Sequence, residues 1–156
     1  MSTRKFLVVV DDSPELAAAL RYACKRARST GGRVAMLRVL PRAVFEHWSG
    51  VREEIEREQR REAESLLQKL GVEAAERSGS TPEFLIVEGE TKAAVKRVVE
   101  QDEDIKILVL AAAVGGRGPG PLVASIAKDP VSWGARRIPV TVVPGDLTDE
   151  EIDSLA

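Results

Sequence analysis

The chain has 156 residues, 44% hydrophobic but only 4% aromatic, which suits a single core built from Val, Leu, Ile and Ala. Its 23 Lys and Arg nearly balance 25 Asp and Glu, so a formal net charge of -2 offers no basic surplus for nucleic acid and no acidic tract for disorder. The only cysteine, Cys24, excludes an intramolecular disulfide and a thiolate metal cage, and the apolar run after Lys5 stops at Asp11, too short for a signal peptide or a membrane span. A cytoplasmic protein with no membrane partner is expected.

Phe6 to Val10 reads FLVVV, a continuous apolar run of the kind found in strands covered by helices on both faces. Ser13-Pro14-Glu15 then has the pattern of an N-cap, a first-turn proline and an acid at the positive end of a helix. Leu16, Leu20, Ala23, Cys24 and Ala27 follow at helical spacing up to Gly31-Gly32, which puts Cys24 in the core rather than at a reactive site. Val34 to Leu40 is a second strand, closed by Pro41. After a loop holding His47 and Trp48, a long helix is predicted from Val51 to Leu70, with Val51, Ile55, Ala63, Leu66, Leu67 and Leu70 as its buried stripe and Gly71 as its stop. Its middle, Arg52 to Glu62, is a charged and solvated face with pairs such as Glu53/Arg57.

Glu83 to Val87 is a third strand, Thr91 to Glu100 a helix with Ala94, Val95, Val98 and Val99 inward, and Ile105 to Ala113 a fourth strand. Val114 to Pro121 (VGGRGPGP) is a loop by composition, Leu122 to Lys128 is helical until Pro130 ends it, and Ile138 to Val143 is a fifth strand. Strands and helices alternate throughout. The expected fold is therefore α/β: a five-stranded parallel sheet, doubly wound, in a Rossmann-like three-layer sandwich.

Such sheets bind ligands beyond the carboxyl ends of their strands, where strand order reverses. Four segments meet that description: Asp11-Asp12-Ser13, Arg38-Val39-Leu40, Glu88-Gly89-Glu90 and Val114 to Gly120. The last, with four glycines and, counting Pro121 after it, two prolines, is either a structural turn or a cradle of backbone N–H groups for an anion. It has no Gly-Lys-Ser/Thr ending and is not a P-loop, and it stands after the fourth strand, where the dinucleotide fingerprint does not belong. The lone histidine, His47, has no second histidine beside it, and no His/Asp/Glu cluster has metal-ligand spacing. No catalytic residue, no metal and no certain cofactor are expected.

The opening LVVVDDSPELAAAL resembles that of response-regulator receiver domains. Those need an aspartate ending strand three and a lysine ending strand five, where this chain has Glu88 and Pro144. The ATP pyrophosphatases need an SGGxDS-like loop after strand one, which Asp11-Asp12-Ser13-Pro14 does not supply. From Lys5 to Val143 the chain instead resembles the universal stress protein family, whose fold is adenine nucleotide alpha-hydrolase-like. The resemblance rests on Val10-Asp11-Asp12-Ser13, Leu37-Arg38-Val39-Leu40-Pro41, Glu88-Gly89, the glycine loop and Ile138-Pro139-Val140-Thr141-Val142-Val143.

The family's nucleotide-binding members carry G-x2-G-x9-G-[S/T] after strand four. Gly115 and Gly118 match its first half, whereas Lys128 and Asp129 stand where Gly and Ser/Thr belong. The resemblance implies a non-catalytic regulatory module with a divergent adenine-nucleotide site, for ATP or AMP, formed by Asp11, Ser13, Val39, Gly115, Gly118, Gly120 and Ser125. Asp11 and Val39 would meet the base, and the charge of Asp129 would repel a triphosphate. The alternatives are an interaction-only dimeric stress protein that does not bind ATP, and a weak ATP-hydrolysing enzyme.

The expected layout is an α/β domain over 1–145 and a tail over 146–156, in which Thr148 and Glu151 have capping-box spacing for a short helix. In the family it resembles, the last strand lies at the sheet edge, and Val140, Val142 and Val143 carry no charge to protect it. A homodimer through these residues is expected.

Overall fold

A computed structural model describes residues 3–42, 49–116, 118–128 and 136–156. The apolar run after Lys5 forms β1 (Lys5–Val9), held between β2 (Arg33–Leu40) and β4 (Ile105–Ala112), with β3 (Glu83–Glu88) outside β2 and β5 (Val140–Pro144) outside β4. All four pairings are parallel, giving the order β3-β2-β1-β4-β5. Successive side chains of β1 alternate between two cores. Phe6, Val8 and Val10 pack with α1 (Leu16–Thr30), α2 (Ser49–Ser78) and α5 (Asp149–Leu155). Leu7 packs on the other face with α3 (Thr91–Gln101), and half-buried Leu122, Val123 and Ile126 of α4 (Pro121–Lys128) join that cluster. The expected doubly wound parallel sheet is thus what the chain forms.

β4 carries an irregularity that the sequence conceals. Lys5 pairs with Ile105 and Phe6 with Ile107, so Lys106 is an extra residue. The bulge puts Ile105 and Leu108 on the same face of the sheet, although they are an odd number of residues apart, and leaves Lys106 in solvent.

Three local expectations are corrected. Gly71 does not stop α2, which continues to Ser78. Gly79 stops it, at φ 77°, with its N–H on the Ala75 carbonyl. Gly71 is needed for another reason: a Cβ there would overlap the ring of Phe84 on β3. Ser13 does not cap α1, whose N-cap is Glu15 without a side-chain hydrogen bond, because the Ser13 hydroxyl is turned to Asp11. Val51 is exposed, since the buried stripe of α2 runs through Ala63, Leu67 and Ala74 nearer its end.

After β5 the chain turns at Gly145 and forms α5. Thr148 accepts from the Glu151 N–H while the Glu151 carboxylate accepts from the Thr148 N–H, closing a capping box. So short a helix is unstable alone, and packing holds it. Ile152 is 1% exposed in the core beneath α1, a burial worth roughly 1.5–3 kcal/mol. Arg21 of α1 grips Asp153 with two hydrogen bonds, of 2.9 and 2.8 Å. That fork holds the Asp153 carboxyl below its ordinary range.

Two outcomes follow. Gly71→Ala should stabilise α2 by about 1 kcal/mol in a Phe84→Ala background, the usual gain for replacing a helical glycine, and by less in the parent, where the ring must move. Equal effects in both backgrounds, by urea denaturation, would contradict the Gly71–Phe84 contact. Because the folded-state pKa of Asp153 is depressed, its contribution is present above the unfolded carboxyl pKa and disappears as pH falls through the folded value. Arg21→Met should therefore lower the Tm at pH 7, with the gap from the parent closing towards pH 3, near and below ordinary carboxyl values of about 3.9.

Candidate functional site

The chain leaves β1 through α1 on one face of the sheet and reaches β4 from α3 on the other. Strand order therefore reverses between β1 and β4, the switch point beside whose carboxyl ends sheets of this kind form a ligand crevice. Asp11-Asp12-Ser13 lies on one side of it and the glycine loop on the other.

On the β1 side the loop is fixed by its own side chains. Oδ1 of Asp11 accepts from the Ser13 N–H at 3.0 Å and from the Ser13 hydroxyl at 2.6 Å. Asp11 is exposed, and its Oδ2 has no partner among the described residues. Asp12 is bound by Arg38 from the end of β2, whose Nη2 lies 3.1 Å from both carboxylate oxygens, while Nη1 donates to the Val10 carbonyl at 3.1 Å. Arg38 thus ties the end of β2 to the β1 loop. The cost is its buried Nε, which has no partner among the described residues. Val39, next in β2, turns to the opposite face and joins the α3–α4 core half-buried.

On the β4 side, Gly115, Gly118 and Gly120 have φ of 123°, 82° and 105°, values that side chains with a Cβ rarely adopt. A Cβ at any of the three would meet nothing within 4 Å, so backbone conformation, not crowding, calls for glycine there. The Ala113 N–H closes the loop onto the Pro119 carbonyl at 3.0 Å. Pro121 opens α4, and Ala124 makes its first hydrogen bond, to Gly120. The N–H groups of Leu122 and Val123 consequently precede the intrahelical pattern and face the loop end of α4. Ser125 is half-buried in the second turn of α4.

The third strand end does something else. Glu90 is the N-cap of α3, accepting from the N–H groups of Lys92 and Ala93 at 3.0 Å each, which accounts for its acid without a ligand. Cys24 is fully buried, and burial pushes its thiol up to about 11. His47, Trp48 and Asp129 lie outside the described residues. Of the edge valines, Val142 is 41% exposed, Val140 is half-buried and Val143, at 2%, is in the core. Among the described residues no three His, Cys, Asp or Glu side chains gather as metal ligands, and no helix is long and apolar enough to cross a membrane. The clasp by Arg38 was missing from the sequence expectations. Its signal was a cation in an otherwise apolar strand end, opposite a pair of aspartates.

The fold agrees with what the chain is similar to. The universal stress protein UspA from Lactobacillus plantarum superposes with a TM-score of 0.73 at 19% identity, over 92% of this chain and 99% of that one. A universal stress protein from Archaeoglobus fulgidus in complex with dAMP gives 0.57 at 19% identity, over 92% and 99%. Another universal stress protein, in complex with cAMP, gives 0.65 at 14% identity, over 92% and 98%. At such identities the likeness speaks for the fold alone. No curated protein matches the chain at a significant level. The model of the universal stress protein family matches residues 2–144, nearly the whole chain, and the chain belongs to that family.

Proposed function

We propose that this protein is a non-catalytic regulatory module that binds an adenine nucleotide between the β1 and β4 strand ends, with 1–145 as the binding domain and 146–156 as its tail. The observation that carries this is the pairing of an exposed Asp11 with an open, glycine-conformed loop on opposite sides of the crevice where strand order reverses. The base lies against Asp11 and Val39. The phosphate is received by the backbone of Gly115 to Gly120 and the start of α4, with Ser13 and Ser125 bordering the site. Two structural relatives are in complex with dAMP and cAMP, each with one phosphate, which supports the same nucleotide class here.

The sequence favours one phosphate over three. Lys128 and Asp129 replace the Gly and Ser/Thr of the family's signature, and a carboxylate beside a triphosphate is repelled in proportion to the added charge. Binding without turnover is favoured by the state of the two acids at this edge, because Asp11 already holds Ser13 and Asp12 already holds Arg38. The competing reading is an interaction-only protein whose glycine loop is purely a turn. Calorimetric titration separates them. AMP should bind more tightly than ATP, and Asp11→Ala should weaken AMP about tenfold or more, the worth of a hydrogen bond to a charged group. Equal affinities for AMP and ATP would remove the monophosphate preference, and no binding of either would leave the interaction-only reading.

We also propose a homodimer through β5. This strand is at the sheet edge, Val142 is exposed there, and α5 packs on α1 and not along that edge. A symmetric pairing of two such edges is the simplest closed assembly. Light scattering at micromolar concentration should give twice the 16.9 kDa chain mass, and Val142→Lys should return it to one. A monomeric parent, or a dimer indifferent to Val142→Lys, would refute this interface.

A further inference from the structure

A second polar centre stands on the outer side of the α1 layer, apart from the strand-end crevice. Arg21, Lys25 and Arg28 are spaced along one stripe of α1, and Arg77 from the last turn of α2 and Asp153 from α5 complete a cleft of about 180 Å³. That is of the order of the ~150 Å³ cavity known to accept a benzene-sized guest, but here the lining is ionic. Four cations and one carboxylate make the lining +3 in formal charge, 4 minus 1.

The existing contacts use only part of that charge. Arg21 is held by Asp153, with Asp149 a further 3.4 Å contact, and Arg77 is paired with Glu73. Arg28 donates to the Glu76 and Arg77 carbonyls and to no carboxylate among the described residues. Lys25 has neither a hydrogen bond nor an ion pair among the described residues, although it is half-buried. Like charges three and four residues apart on a helix repel, so α1 carries this stripe at a cost to its own stability. The contacts of Arg21 and Arg28 return some of it by fastening α5 and the end of α2. Lys25 is attracted to the Asp153 carboxylate through space and is held by no direct contact among the described residues.

We propose that this cleft is a second ligand site, for a compact oxyanion: phosphate, either free or at the end of a small phosphomonoester. Two helices, α1 and α2, contribute its donors, and α5 contributes the carboxylate of Asp153. Asp153 orients the Arg21 guanidinium, Arg28 and Arg77 line the cleft with it, and Lys25 supplies a charge that no ion pair holds among the described residues. Occupancy would bind α5 and the end of α2 more firmly to α1, joining the C-terminal helix to the rest of the layer.

The test uses the full chain at fixed ionic strength, followed by thermal shift and by amide NMR titration with inorganic phosphate, ribose 5-phosphate and, as control, chloride. Both phosphates, but not chloride, should raise the Tm with saturation, and amide shifts should concentrate in residues 21–28, 76–78 and 149–155. Tighter binding of the ester assigns the site to a phosphomonoester, and equal binding to free phosphate. Lys25→Gln should weaken binding about tenfold, the worth of one charge-assisted hydrogen bond, with the ligand-free Tm showing that the fold is kept. Asp11→Ala should leave it unchanged, which separates this site from the strand-end crevice. An effect that chloride reproduces, that Lys25→Gln does not alter, or whose shifts fall in residues 113–125 overturns the proposal.

Discussion

Both faces of β1 are covered, and from that the placing of every polar group follows. Phe6, Leu7 and Val8 are all within 1% of complete burial, so neither face of the central strand meets water. Its backbone groups are paired on both sides, with β2 and β4. Such a strand can carry chemistry only at its ends. The Asp11-Asp12 pair, which stops the apolar run, is therefore forced to the rim of the sheet, and the neighbouring strand ends come to the same rim because all five are parallel.

The two rims are treated differently. At the amino end, Lys5 lies 2.6 Å from both Glu83 and Asp102. Burial pulls the Lys5 ammonium pKa down, but the two carboxylates more than offset this and raise it, while Lys5 and the Asp104 N–H overcome burial to hold Asp102 low. Close by, the Arg136 guanidinium donates to four carbonyls at the end of α3 and the start of β4: Val99 at 2.7 Å, Asp102 at 2.8 Å, Glu103 at 2.9 Å and Ile105 at 2.7 Å. Charges here bind the chain to itself. At the carboxyl end a single clasp, Arg38 to Asp12 and Val10, fixes one loop and leaves Asp11 and the glycine loop facing solvent. One rim is thus fastened by its charges, and the opposite one is left partly open.

What the sequence disclosed divides along the same line. Elements whose cause is local were legible: the apolar runs, the helical spacing of Leu20, Ala23, Cys24 and Ala27, and the punctuation by Gly31 and Pro41. What stayed hidden was decided by neighbours distant in the chain. Gly71 looked like a helix stop because a glycine after a leucine stripe usually is one, and only Phe84, on another strand, explains it inside α2. Ser13 had two acceptable partners, the helix end and Asp11, and sequence spacing does not choose between them. Arg136 gave no signal at all, since its acceptors are main-chain oxygens contributed by α3 and β4. At the candidate site, Asp11, Val39 and the glycines were legible as strand-end residues, but the grip of Arg38 on Asp12 was not, because it joins residues 26 apart.

The glycines show how closely conformation and vacancy are linked in this fold. At Gly32, Gly71 and Gly145 an added Cβ would strike the Arg4 carbonyl, the Phe84 ring, or Glu15 and the Ala112 carbonyl. Those positions are filled, and glycine is there so that something else can be close. At Gly115, Gly118 and Gly120 the space is empty, and glycine is there only to let the backbone turn to positive φ. Positive φ at the three positions lets the loop double back, closed by the Ala113 N–H on the Pro119 carbonyl. An open, repeatedly turned backbone costs conformational entropy on folding and buries no apolar area in exchange. Packing does not offset that cost at these three positions, where no atom lies within 4 Å of an added Cβ.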